Sequence, residues 1–322
     1  MLKDVIDPDL LRRFEEGLDP RNPHLSTISA RIIGYGEMST IFVIDHPGQA
    51  HIAYKRMPIF RTDAEMDAYE RLFDAYNTGL GRIGLQVPDW ASARVVPKRG
   101  NRIVYTAQAR LPSASIGNAL LHTLPEGSIA LLLGCVLREL AKVFASHPAH
   151  PALIFGIDGQ ISNWALKHGR ADGPVTEASE LYYLDTGTPL IRRDGVEQLD
   201  PELFLRCTPS FLVWLIRLLF LEDVMTRYYD FRKVTIDLIA NVYKEQRPDL
   251  IPLLLTTANR FFGGEGAAFG IAPLTAEEVS AYYRQDAMIW RVYLAFRKID
   301  RFLHRHVLGK PYVYILPEAI RR

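Results

Sequence analysis

The sequence changes character once, near Leu111-Pro112, and that change constrains the fold more than any other feature. Upstream, runs rich in β-branched residues at Ser29–Ile33 and Thr40–Ile44 flank Gly34-Tyr35-Gly36-Glu37-Met38-Ser39. After the turn His46-Pro47-Gly48-Gln49 comes a third run, His51–Lys55. Such runs between turn residues read as strands. Two more are expected at Ala93–Val96 and Arg102–Ala107, joined by the basic, turn-like Lys98–Asn101. One helix interrupts them. Thr62 with Glu65 three residues on forms a capping box, and Met66, Tyr69, Phe73 and Tyr76 recur at helical spacing until Gly79 and Gly81. Downstream, a long apolar helix is expected over Gly127–Ser146, short strands near Ala152–Ile157 and Leu181–Leu184, and helices again from Pro209. Ahead of all this, Asp7-Pro8-Asp9 caps a short helix that Gly17 ends. The expected class is α+β: a β-rich part with one helix, then a larger, mainly helical part.

Composition narrows the function classes. The 322 residues carry 38 basic and 37 acidic side chains, a formal net charge of +1, so no global field steers the chain to nucleic acid or anionic lipid. Two cysteines, Cys135 and Cys207, both in apolar stretches, exclude a disulfide framework and a CxxC metal site, and are expected to be buried thiols. The N-terminus becomes charged too soon for a signal peptide, and the apolar stretch Phe211–Leu221 is short and broken by Arg217. A cytoplasmic protein with no nucleic-acid or membrane partner is the expectation.

Several residues have the chemistry of a site. Gly34-x-Gly36-x-x-Ser39 lies between two strands, where glycines let backbone N–H groups approach phosphates, although a glycine-rich hairpin is commonly only a hairpin. Lys55 lies near the end of an apolar strand, where a buried amine needs an anionic partner or a route to the edge. Glu70 borders the inward stripe of the following helix and is the expected partner; Glu65 competes but already has a capping role. Asp158 and Asn163 stand five apart on a loop between short strands, and Asp185-Thr186-Gly187 closes the strand Leu181–Leu184. Each of the last two is a possible metal or catalytic site, and each is equally a common turn.

In this order the elements resemble the protein-kinase-like superfamily, most closely its small-molecule branch typified by aminoglycoside phosphotransferases and choline kinases. The resemblance covers roughly Thr27 to Leu190, and Gln86-Val87-Pro88-Asp89 is similar to the approach to that branch's fourth strand. It implies a two-lobed fold: an N-terminal helical extension over 1–26, an N-lobe over 27–108 and a C-lobe over 109–322. It also implies ATP and Mg2+. Gly34, Gly36 and Ser39 would cover the phosphates, and Lys55, oriented by Glu70, would hold the α- and β-phosphates. Asp158 would be catalytic, accepting or positioning the proton of an acceptor hydroxyl. Asn163 and Asp185 would hold metal, and Thr106–Pro112 would be the hinge against the adenine. The acceptor is expected to be an unidentified small molecule.

The pattern departs from the family in places. The histidine usual before the catalytic aspartate is missing, with Gly156 and Ile157 preceding Asp158, which puts the rigidity of that loop in question. Thr186 stands where the Asp-Phe-Gly triplet has phenylalanine, and no Ala-Pro-Glu follows, which disfavours a protein substrate. Two rival readings remain. Asp185-Thr186-Gly187 alone looks like an aspartic-protease signature, but a second copy is missing and the helical half contradicts an all-β fold. The stronger rival is a pseudokinase that binds nucleotide or a protein partner without turnover.

Overall fold

In the computed structural model the structure describes residues 2–20, 22–35, 39–97, 102–168, 173–200, 202–203, 206, 226–307, 309, 312 and 314–315. The expected Cys207 thiol, the Phe211–Leu221 stretch and Gly36 lie outside them.

Five antiparallel strands, β1 (Ala30–Tyr35), β2 (Thr40–Ile44), β3 (Ile52–Phe60), β4 (Trp90–Val95) and β5 (Arg102–Ala109), form one sheet in the order β1-β2-β3-β5-β4. β5 therefore inserts between β3 and β4, so Lys55, Thr106 and Ser92 stand abreast on three neighbouring strands. Alternation along the strands gives the sheet two different faces. One face packs Phe42, Ile52, Tyr54, Ala93, Ile103 and Tyr105 against Leu11 and Phe14 of α1 (Pro8–Glu16). The other presents Met57 and Val104 to Met66, Tyr69 and Phe73 of α2 (Asp63–Ile83).

Both caps legible in the sequence are present: the Asp7 side chain accepts the Leu10 N–H, and the Thr62 hydroxyl accepts the Glu65 N–H. The Glu65 carboxylate accepts the N–H of Arg61 at 2.7 Å and bridges to Arg206. α2 does not stop at Gly79 and Gly81 but runs to Ile83 and ends at Gly84, whose φ of 98° is the left-handed cap geometry. Gly79 instead permits a close crossing, because a Cβ there would lie 2.4 Å from the Phe155 ring.

The remainder is mainly helical. α3 (Gly117–Thr123) and α4 (Glu126–Ala149) precede β6 (Leu153–Phe155), β7 (Trp164–Leu166), β8 (Leu181–Tyr183), β9 (Ile191–Arg193) and β10 (Val196–Glu197). β7 pairs with β8, and β6 and β10 flank β9. Then come α5 (Phe231–Lys244), α6 (Ile251–Gly263) and the long α7 (Ala276–His306). A second core joins Val136, Leu140 and Phe144 of α4 to Trp164, Tyr183 and the inner faces of α5 and α6. Cys135 is buried and free. Among the described residues no helix is long and apolar enough to cross a membrane. The chain is a mixed α+β protein with an antiparallel sheet followed by a helical part.

Candidate functional site

The sheet and the helical part enclose a cavity of about 380 Å³, within the size range of small-molecule sites. The sheet contributes Gly34, Lys55, Thr106 and Gln108, and the helical part contributes Ser162, Asn163 and Asp185. Ala109 at the end of β5, with Arg110, Leu111 and Ser113 from the segment joining the two parts, closes one side.

Lys55 and Asp185, 130 residues apart, meet in this cavity with Nζ 2.7 Å from Oδ1. The approach depends on the glycine two residues later. A Cβ on Gly187 would lie 2.7 Å from Cδ of Lys55 and 2.9 Å from its Nζ, so any larger residue would push the ammonium away. Two further bonds fix the segment: the Tyr69 hydroxyl donates to the Gly187 carbonyl at 2.7 Å, and Gln108 Nε2 donates to the Thr186 hydroxyl at 3.1 Å. Two strands and a helix thus hold the Asp-Thr-Gly turn.

The expected Lys55–Glu70 pair is not formed. Glu70 accepts from the Ser92 hydroxyl at 2.9 Å and pairs with Arg94, which also reaches Asp67. The cause is the sheet order. Ser92 is two strands from Lys55, about 9–10 Å at the usual strand spacing, and Glu70 borders the inward stripe on that far side. Tyr69, one residue earlier, is the α2 side chain that reaches the Asp-Thr-Gly turn.

Asp158 is half-buried and adjoins the cavity without forming its wall. Its carboxylate accepts the Gln160 N–H at 3.1 Å, and Asn163 Nδ2 donates to its carbonyl at 3.2 Å. Burial, followed by the negative charges of Asp237 and Asp185, pushes the Asp158 carboxyl up to about 7. Asp237 is buried on α5, whose Val234 and Asn241 touch Gly159 and Gln160.

The absent histidine does not leave the loop loose. The Tyr76 hydroxyl donates to the Gly156 carbonyl at 2.8 Å, and a Cβ on Gly156 would meet the Tyr229 ring at 3.0 Å. Backbone bonds from Gly156 N to Leu190 and from Ile157 N to Tyr228, both 2.9 Å, complete the support. A glycine with two tyrosines packed around it fills the position.

Of the other expected residues, Gly34 lines the cavity, while Ser39 does not. Ser39 is buried beside Arg56, Pro58, Arg297 and Tyr314 in a separate small recess. The sequence points to neither Tyr69 nor Tyr76 as a support nor to Asp237 as a neighbouring charge, and it places Gln108 only within the expected hinge. In the sequence Tyr69 and Tyr76 stand out as members of an apolar stripe, yet a tyrosine at an inward position brings a hydroxyl that needs a partner. That hydroxyl was the available signal.

The fold and site thus define an α+β protein with a charged cleft between its sheet and its helical part. The chain belongs to DUF6206, a family of unknown function, which it matches over residues 26–302. No curated protein matches the sequence. Among solved structures it is similar to the GDP complex of a variant of aminoglycoside 2'-phosphotransferase IIIa, at 14% identity over 74% of this chain and 94% of that one, with a TM-score of 0.33. A likeness that slight fixes neither fold family nor activity.

Proposed function

We propose that the chain is an ATP- and Mg2+-dependent phosphotransferase of the kinase-like kind, acting on a hydroxyl of a small-molecule acceptor. In this reading residues 27–108 are the N-lobe, residues 109–322 the C-lobe, and residues 1–26 an extension packed on the sheet. The observation that carries it is the convergence of Lys55 with Asp185 in a cavity that Gly34, Asn163 and the segment after β5 also line. A strand lysine and a loop carboxylate meeting there can grip a phosphate chain together with its cation.

The donor set suits magnesium. Asn163 and Asp185 offer hard oxygens on consecutive loops of one cavity. Among the described residues no cluster of three or more histidine, cysteine, aspartate or glutamate side chains could hold a metal. Two protein oxygens completed by phosphate and water are the usual way Mg2+ is held. When bound, the ion would neutralise charge on the phosphates. Lys55 would exchange its contact with Asp185 for phosphate oxygens, leaving that carboxylate free to ligate. Asp158, with its carboxyl raised to about 7, can take the proton of an acceptor hydroxyl as that oxygen attacks the γ-phosphorus and ADP departs. Transfer of radiolabelled γ-phosphate to a panel of hydroxyl compounds tests the reading. Asp158→Asn is expected to slow transfer by about 10²- to 10⁴-fold with little change in nucleotide affinity. Equal turnover in wild type and variant contradicts it.

One observation favours a second reading, a nucleotide-binding module without turnover. Glu70, which the family resemblance assigns to Lys55, is held by Arg94 and Ser92. Nucleotide binding with no transfer to any acceptor, and none to water, would select that reading.

A further inference from the structure

α7 is 31 residues long, and its two sides differ. One side faces the protein. Val279 and Ala287 are buried, and Asp286 lies 3.7 Å from Arg227 and 3.5 Å from Lys244. The other side exposes Met288 (56%), Val292 (47%), Ile299 (46%) and Phe302 (58%), with Ala295 also exposed between them. Large apolar side chains exposed singly are ordinary, whereas a contiguous row of them calls for a partner.

The spacing of this row is informative. From Met288 the steps are four, three, four and three residues, a strict alternation averaging 3.5. A two-position stripe of that period is the seam of a coiled coil, narrower than the apolar face of a helix packing into a globular core or lying in a lipid interface. The row runs for about 21 Å at 1.5 Å per residue. Along one edge, seven residues apart, stand Arg284, Arg291 and Lys298, all exposed. None of the three forms an ion pair among the described residues. The helix's acids in this stretch are occupied elsewhere, Asp286 as above and Asp300 beside His304 at 3.3 Å.

We propose that this face of α7 docks an acidic amphipathic helix of another protein, its apolar seam on Met288–Phe302 and its carboxylates against Arg284, Arg291 and Lys298. A second copy of the chain fits poorly. An antiparallel pair would set the basic edges against each other. A parallel pair would set them against Ile289, Phe296 and Leu303, which are half-buried within the chain itself. Cations on one edge only, beside a narrow seam, likewise suit a helix better than a lipid surface, which favours a broad apolar face. The proposal is independent of any nucleotide chemistry.

The probe is a fluorescein-labelled three-heptad peptide with leucine at its seam and glutamate at the flanking positions, read by anisotropy against the full chain. A matched peptide carries lysine at those flanking positions. Saturable one-to-one binding of the glutamate peptide is expected, with the lysine peptide at least about tenfold weaker. The double variant Arg291→Glu/Lys298→Glu should reverse that preference, and Val292→Ser/Ile299→Ser should abolish both. An unchanged melting temperature shows that each variant folds. Equal binding of the two peptides, or none, overturns the proposal. So does a chain that ignores the peptide but sediments with phosphatidylserine-containing vesicles, which would make the face a lipid contact. A dimer in sedimentation that Val292→Ser/Ile299→Ser dissolves overturns it as well, by naming a second copy as the occupant.

Discussion

Lys55 and Arg56 are neighbours on one strand, and their fates show how the two faces of the sheet differ. Arg56 points to the α1 side, where it pairs with Glu15 at 2.9 Å, and both side chains are only 5% exposed. The Tyr105 hydroxyl donates to the same carboxylate, so the buried charges are enclosed and hydrogen-bonded. Lys55 points the other way, into the cleft, where it and Asp185 keep 16% and 24% of their exposure. The first pair is sealed, and breaking it should cost stability. The second sits where a ligand can reach it, and breaking it should cost function. Alternation in a strand is enough to separate the two roles.

The sharpest way to break the contrast is Glu15→Ala. It removes the Glu15 carboxylate from a buried ion pair, and losing one member of such a pair typically costs about 3–5 kcal/mol. Urea denaturation should show that loss. Lys55→Met, measured the same way, should cost about 1 kcal/mol or less, because the remaining Asp185 is open to solvent. A loss as large for Lys55→Met as for Glu15→Ala would mean that the cleft pair is structural.

Glu70→Gln comes next. Its partner Arg94 is partly exposed and keeps a second carboxylate, Asp67, so the expected cost is about 0.5–1 kcal/mol, with nucleotide affinity unchanged. A strong fall in nucleotide affinity would show that Glu70 leaves Arg94 for Lys55 when the cleft is filled.

The smallest effect is a pH dependence. The Arg206 side chain, aided by the Arg61 N–H and opposed by partial burial, lowers the Glu65 carboxyl from 4.5 to about 2. A depressed carboxylate contributes stability that is fully present above its unfolded value and is lost as pH falls through the folded one. Wild type should therefore lose this contribution between about pH 4.5 and 2, whereas Glu65→Gln should lack it at pH 6 and show a flatter acid limb. Chemical denaturation at pH 6 and pH 2 reads the difference, expected to be about 0.5 kcal/mol or less.

Much of this contrast was legible locally. Caps at Asp7 and Thr62, the β-branched run of β2 and the inward stripe Met66, Tyr69, Phe73 and Tyr76 are short-range signals, and all recur in the structure. What failed was long-range. Helix phase and the family resemblance both assign Glu70 to Lys55, but its partner is decided by β5 entering the sheet between β3 and β4. Gly79 and Gly81 read as helix stops because propensity disfavours them, while packing against Phe155 is what Gly79 serves. Sequence position groups Ser39 with the hairpin glycines, yet it is buried beside Arg297 and Tyr314 from the far end of the chain. The buried role of α1 was equally hidden, because nothing near Glu15 announces an arginine 41 residues later.

The central claim is that the Lys55–Asp185 cleft is a nucleotide site, and calorimetric titration of ATP with and without magnesium tests it most directly. Wild type is expected to bind ATP saturably, and more tightly with magnesium. Lys55→Met should lose most of the affinity, Asp185→Asn should lose only its magnesium-dependent part, and Glu70→Gln should bind as wild type does. No heat of binding and no rise in melting temperature at millimolar ATP or GTP would contradict the account, since any ligand of the native state must stabilise it. Binding that Lys55→Met leaves intact would contradict it equally.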